Sequence, residues 1–258
     1  MFAAPISRFA CGDLIRMAAN ANIFNPRLAD RKLFLVAAIG FPLLVLIGYF
    51  RTYYFRPFFV DVRPIPANIV HVHAVVMSLW VIYFTAQSLL IRTKNIRLHM
   101  TLGWAGVALA VLVVITGMAV AYDTHIVRQS APPGLTGHQF FIVPTLGMLL
   151  FVALFAGAIY YRKKPAEHKG LMLITALNFL PPAVARMPVM PELLGIAWTD
   201  GFPDLIAVTC VGYHAWKHKK LNKVFAAGAG LLIFSHVAAI VFSNATPWLA
   251  FTDWLASL

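Results

Sequence analysis

Residues 71–90 read HVHAVVMSLWVIYFTAQSLL, a run of nearly pure hydrocarbon that also carries two histidines, a tryptophan and a glutamine. At 1.5 Å per residue, the helix from His71 to Arg92 would cover ~32 Å, the thickness of the hydrocarbon layer of a bilayer. A stretch of this length and composition is a transmembrane helix, and that assignment decides the fold class. Polar side chains facing lipid are costly, so the imidazoles and the amide must face protein or a cavity. Residues i and i+2 lie on opposite sides of an α-helix. His71 therefore shares one face with Ser78 and Thr85, while His73 shares the other with Met77, Trp80, Phe84 and Gln87.

The rest of the chain has the same character. Of 258 residues, 60% are hydrophobic and only 12% charged, which points to an all-α, polytopic membrane bundle. Apolar runs at 33–50, 67–91, 99–122, 138–161, 168–186, 203–216 and 224–243 predict seven transmembrane helices in one domain, 33–258. Residues 1–32 lack the basic–apolar–small pattern of a cleaved signal peptide and read as a cytoplasmic or interfacial segment. The sixth run is short, with room to extend to His218 or to borrow from 192–198. The cysteines, Cys11 and Cys210, are far apart and suggest neither a disulfide nor zinc.

The net charge of +12 would suggest a nucleic-acid partner in a soluble protein. Here the cations sit in short clusters between apolar runs and report topology instead. Sixteen of the 21 basic residues, including every lysine, precede span one or fall in the connections that carry Arg92, Lys94 and Arg97, then Arg162, Lys163, Lys164 and Lys169, then Lys217, Lys219, Lys220 and Lys223. The bias predicts the N-terminus inside and the C-terminus outside. Trp198, Trp248 and Trp254 then mark the outer interface. The inner connections are tight, so spans two–three, four–five and six–seven should form hairpins. The hairpins read as a degenerate repeat. "HVHAVV…IRTKNIRLHMTLGW" parallels "GHQFFIV…YYRKKPAEHKGLML", with His71 and His99 matched by His138 and His168. In the third hairpin Asp204 takes the outer place.

This spacing puts His71, His73 and His138 near the outer face and His99 and His168 near the inner face. His99, His138 and His168 open helices, where the dipole favours neutral imidazole. Neutral imidazole is the form that binds metal, and two such ligands from facing helices can sandwich a haem iron. Arg186 is placed to meet a haem propionate, a bound anion or Asp204. Pro181 and Pro182 should kink the fifth helix. For each histidine the plainer alternative is an interhelical hydrogen bond or an interfacial side chain. His125 reads as solvated, His214 and His218 as a basic interfacial tail, and His236 as a packing residue with no evident partner. Gly103, Gly106, Gly228 and Gly230 read as points of close helix approach.

With those residues in view, the arrangement over 67–186 resembles the di-haem b-type cytochromes that carry electrons from ascorbate across membranes, in which four consecutive helices each give one histidine. The resemblance implies two b haems: an outer one on His71 or His73 with His138, and an inner one on His99 with His168. The paired histidines at two depths lead to the expectation of a membrane redox protein that takes electrons from a quinol or small reductant. More closely, "HVHA…W…Q…L", "RLHMTLGW" and "EHKGLM…AR" resemble a group of bacterial multi-helix membrane proteins, which implies a bacterial inner (cytoplasmic) membrane and brings no activity with it. Two other classes stay open. A metal-dependent membrane hydrolase would need His73, His138, Asp204 and Asp123 to converge at one depth. A non-enzymatic assembly or accessory subunit would use its histidines for packing alone. No G-x-S-x-G, P-loop or Rossmann fingerprint is present.

Overall fold

The computed structural model describes residues 26–62, 65, 67–187 and 195–258, with side chains from residue 32 onward. It is helical throughout, with no strand among the described residues. Most of the predicted N-terminal segment lies outside the described residues, but its last part, from Pro26, already forms the first turns of a helix.

Helix α1 (Pro26–Tyr49) continues through a π-helical turn, Phe50–Tyr54. Then come α2 (Asn68–Arg92), α3 (Ile96–Ala121) with a π-helical extension to Val127, the single turn α4 (Gly137–Phe140) and α5 (Ile142–Tyr160). They are followed by α6 (Pro165–Leu177), the turn α7 (Pro181–Val184), α8 (Gly195–His218), α9 (Lys223–Phe242) and α10 (Thr246–Ala256). Five segments are long and apolar enough to cross a membrane: Lys32–Tyr54, Asn68–Arg92, Ile96–Val127, Gly137–Lys163 and Lys223–Phe242. They coincide with the first, second, third, fourth and seventh predicted runs.

The three expected hairpins are present as the packed pairs α2–α3, α5–α6 and α8–α9. Their turns are basic. Lys94 and Lys219 occupy the left-handed conformation (φ 63° and 52°) just past a helix C-terminus, where a cation also meets the negative end of the dipole. Asn95 and Asn222 then cap the next helix by accepting from Leu98 N–H and Phe225 N–H.

The centre of the bundle is α6, which packs against α1, α5, α8 and α9. Gly170, Leu171 and every residue from Leu173 to Leu177 are buried, so it is covered all round. It needs close neighbours: a β-carbon on Gly170 would stand 2.7 Å from the Phe225 ring of α9. The prolines do more than kink this helix. Pro181 and Pro182 have no N–H to donate, so α6 stops at Leu177, and the chain passes through a tight turn with Leu180 N–H on Leu177 O (3.0 Å) before α7 resumes. Asn178 ties the break to α5 by donating to Gly147 O at 2.9 Å.

The broken segment runs beside α1 in register. Near one end Lys169 Nζ lies 4.8 Å over the Phe34 ring, and near the other Ala183 abuts Gly48. Both intervals are fourteen residues, ~21 Å of helix. In α8 and α9 the register is antiparallel: Asp204 meets His236 and His214 meets Phe225.

Helix α2 shows how its stripes are used. Val72, Val75, Leu79, Ile82 and Leu89 form an exposed apolar face. Trp80 is fully buried against Phe151 and Phe155. Ser78 meets Tyr54 Oη (2.8 Å) and Thr85 donates to Ala38 O (3.2 Å), so the hydroxyl stripe docks on the α1 segment. Two of the four glycines expected at close approaches serve that way, Gly106 against Tyr83 and Gly228 against Leu171; Gly103 and Gly230 face open space.

Candidate functional site

The two histidines of the opening stretch separate as their angular positions require. His71 is exposed and reaches only the Tyr53 hydroxyl, at 3.4 Å. His73 turns into the bundle, where its Nδ1 lies 3.1 Å from Thr116 Oγ1. The Thr116 hydroxyl spends its hydrogen on Leu112 O (2.7 Å), so His73 must be the donor. His73 is therefore the neutral Nδ1–H tautomer, with its lone pair on Nε2.

His138 also donates through Nδ1. Its Nδ1 donates to Asp253 Oδ1 at 2.8 Å, and its buried Nε2 has no partner. Asp253 belongs to α10, a helix absent from the sequence-based expectation. Trp248 of that helix donates Nε1–H to His138 O (2.9 Å) and stacks on Phe141.

The outer pair does not meet at one level. His73 and Met148 both border the place that a β-carbon on Gly117 would take. From Met148 to His138 is ten residues, ~15 Å of helix. Independently, Thr116 lies nine residues, ~14 Å, below His125, whose carbonyl abuts Gly137. The expectation of a common depth assumed that spans two, three and four end together. In fact α3 runs on through Val127 and carries the His138 turn above the layer of His73.

The inner pair does meet. The rings of His99 and His168 face across the bundle with centroids 6.4 Å apart and planes at 81°. His168 Nδ1 donates to Ala158 O at 2.8 Å, leaving the lone pair on Nε2. His168 thus has its Nδ1 anchored by backbone, and His99 presents a buried Nδ1 without a partner. Gln87 donates Nε2–H to Tyr83 Oη (2.7 Å), Tyr83 donates to Leu102 O (2.7 Å), and Gln87 Oε1 is a further buried acceptor without a partner.

No protein-family model, curated protein or solved structure matches the chain.

The remaining candidates each have a separate partner. Arg186 donates to Pro182 O (2.6 Å) and lies over the Tyr49 ring, not beside Asp204. Asp204 instead accepts from His236 Nδ1 at 2.9 Å, so His236 has the partner its sequence context did not reveal. Asp123 pairs with Arg128. His125 is half-buried, with Nδ1 on Ser130 O, rather than solvated. His214 is buried and its ring stacks on His218 at 4.3 Å. Among the described residues no group of three or more His, Cys, Asp or Glu is placed to hold a metal ion.

Carbonyl-anchored imidazoles with a free lone pair are the form in which histidine ligates metal. Two metal–nitrogen bonds of ~2 Å plus a ring radius at each end span a centroid separation of this size. At the basic end the ring separation is the span that a single imidazole-bridged ion would need. The outer histidines, offset in depth, do not fit one shared iron. Clefts between α1 and α2, beside Tyr54 and Ser78, and between α5, α6 and α9, beside Lys223, have no histidine in their linings.

Proposed function

We propose that the chain is a seven-span protein of the bacterial cytoplasmic membrane, N-terminus inside, holding an imidazole-ligated centre between His99 and His168 at its cytoplasmic end. Two registers support the seven crossings: α6–α7 matches α1 over fourteen residues, and α8 lies antiparallel along α9. The charge distribution supports the orientation: Lys32, Lys217 and Lys219 act on one another at the end where Lys169 and the His99–His168 pair also lie.

The observation that carries the centre is the approach of two rings from different hairpins, His168 fixed through Nδ1 and His99 with a buried, unpartnered Nδ1. On this reading the function is membrane electron transfer, with b-type haem as the group and a quinol or small reductant as donor. A haem held there by His99 and His168 would supply a one-electron couple. The hydrolase alternative has no comparable support, because His73, His138, Asp204 and Asp123 each engage a different partner. A reduced-minus-oxidised spectrum of the purified protein, with metal analysis of the same sample, is the test. An α-band, or a stoichiometric transition metal, that disappears in His168→Gln is expected. Neither signal in the wild-type protein would leave an assembly or accessory role.

A further inference from the structure

A second set of ionisable groups lies far from the basic end. On α8, Asp200 and Asp204 are one helical turn apart on one face. Asp204 accepts from His236 of α9, with the two side chains 19% and 12% exposed, and Asp200 acts electrostatically on both. Asp204 is fourteen residues from His218, ~21 Å along α8, and His236 is thirteen from Lys223, ~20 Å along α9. The two heights agree and place the group inside the apolar layer, with Asp200 a turn nearer the end opposite the basic turns.

The charge arithmetic does not close with every group in its usual state. Two carboxylates and one imidazolium leave a net negative charge among apolar side chains, and a neutral imidazole makes it worse. Electroneutrality needs one more proton than the ion pair alone holds, shared among three groups that titrate as a unit. Asp200 and Asp204 are the charged groups that act on His236 among the described residues; of the other helices packed on α9, α5 has no ionisable group facing it and those of α6, Glu167, His168 and Lys169, lie in its first turns at the basic end. Toward the basic end the helices continue with Ala207 and Val211 on α8 and Leu232 and Ala229 on α9.

We propose that Asp200, Asp204 and His236 form a proton-binding site within the membrane, filled from the end away from the basic turns through Asp200. It goes beyond the electron-transfer reading and stands whether or not His99 and His168 bind a metal. The test is proton uptake by the full-length protein in lipid nanodiscs, counted with an indicator dye on acidification across about pH 8 to 5, the range in which imidazole changes charge. His236→Gln and Asp204→Asn should each take up about one proton fewer per chain than wild type, and Asp204→Glu should retain it. Asp200→Asn, which leaves the Asp204–His236 bond in place, should slow uptake several-fold. Undiminished uptake in a folded His236→Gln protein overturns the site. Undiminished rate in Asp200→Asn overturns its filling through Asp200. If neither His236→Gln nor Asp204→Asn folds, infrared difference spectra of the wild type decide: a protonated-carboxyl or imidazolium band titrating in this range, displaced in Asp204→Glu, supports the site, and its absence overturns it.

Discussion

At the scale of single residues, the deciding fact is which ring nitrogen each imidazole has already spent. His73, His138, His168 and His236 each donate from Nδ1, to a threonine, a carboxylate, a carbonyl and a carboxylate in turn. Thr116→Val keeps the shape but removes the acceptor at His73, leaving a buried N–H unsatisfied. The cost should be ~1–2 kcal/mol, the upper part of the range for polar contacts between membrane helices, read as a lower midpoint of unfolding in mixed micelles. Asp253→Asn should loosen α10, seen as faster proteolysis after Phe242 with the remaining fragment intact. The separation of His71 from His73 was legible in the sequence, because the angle between i and i+2 is fixed by the helix. The partners Asp253 and Asp204 were not, because they lie 115 and 32 positions from their histidines. Nothing local marks such pairs, and α10 itself is too short to register as an apolar span.

At the scale of elements, close packing of α6 governs the bundle. Gly170→Leu would drive its side chain into Phe225 and should destabilise by ~1–3 kcal/mol. Gly230→Ala, which meets open space, should be nearly silent in the same unfolding assay. The sequence grouped Gly230 with Gly106 and did not single out Gly170, because composition shows smallness and not what faces it. The hairpins were legible because their turns combine a basic cluster with a sharp end to the apolar run. The break at Pro181 was legible as a kink but not as a full stop. The long extension of α3 was not, since a π-helical continuation over YDTHIV has no apolar period to announce it. That extension is what lifts His138 away from His73.

At the scale of the whole molecule, five segments qualify as spans on apolar length and two do not, although α6–α7 and α8 lie alongside helices that do. The shortfall has a cause: a proline break interrupts one, and Asp200, Asp204 and the basic tail dilute the other. Both counts place the C-terminus on the same side, because two omitted crossings cancel. Residues near Ala185 alone separate them: outside if α6–α7 crosses, inside if it does not. The most direct test is a single reporter cysteine, Ala185→Cys, in a Cys11→Ser, Cys210→Ala background, labelled in intact cells with an impermeant maleimide. Seven crossings predict labelling from outside without permeabilisation, as at a control Ser130→Cys. Labelling of Ala185→Cys only after the membrane is opened, as at a control Lys94→Cys, would contradict the architecture on which the site assignments rest.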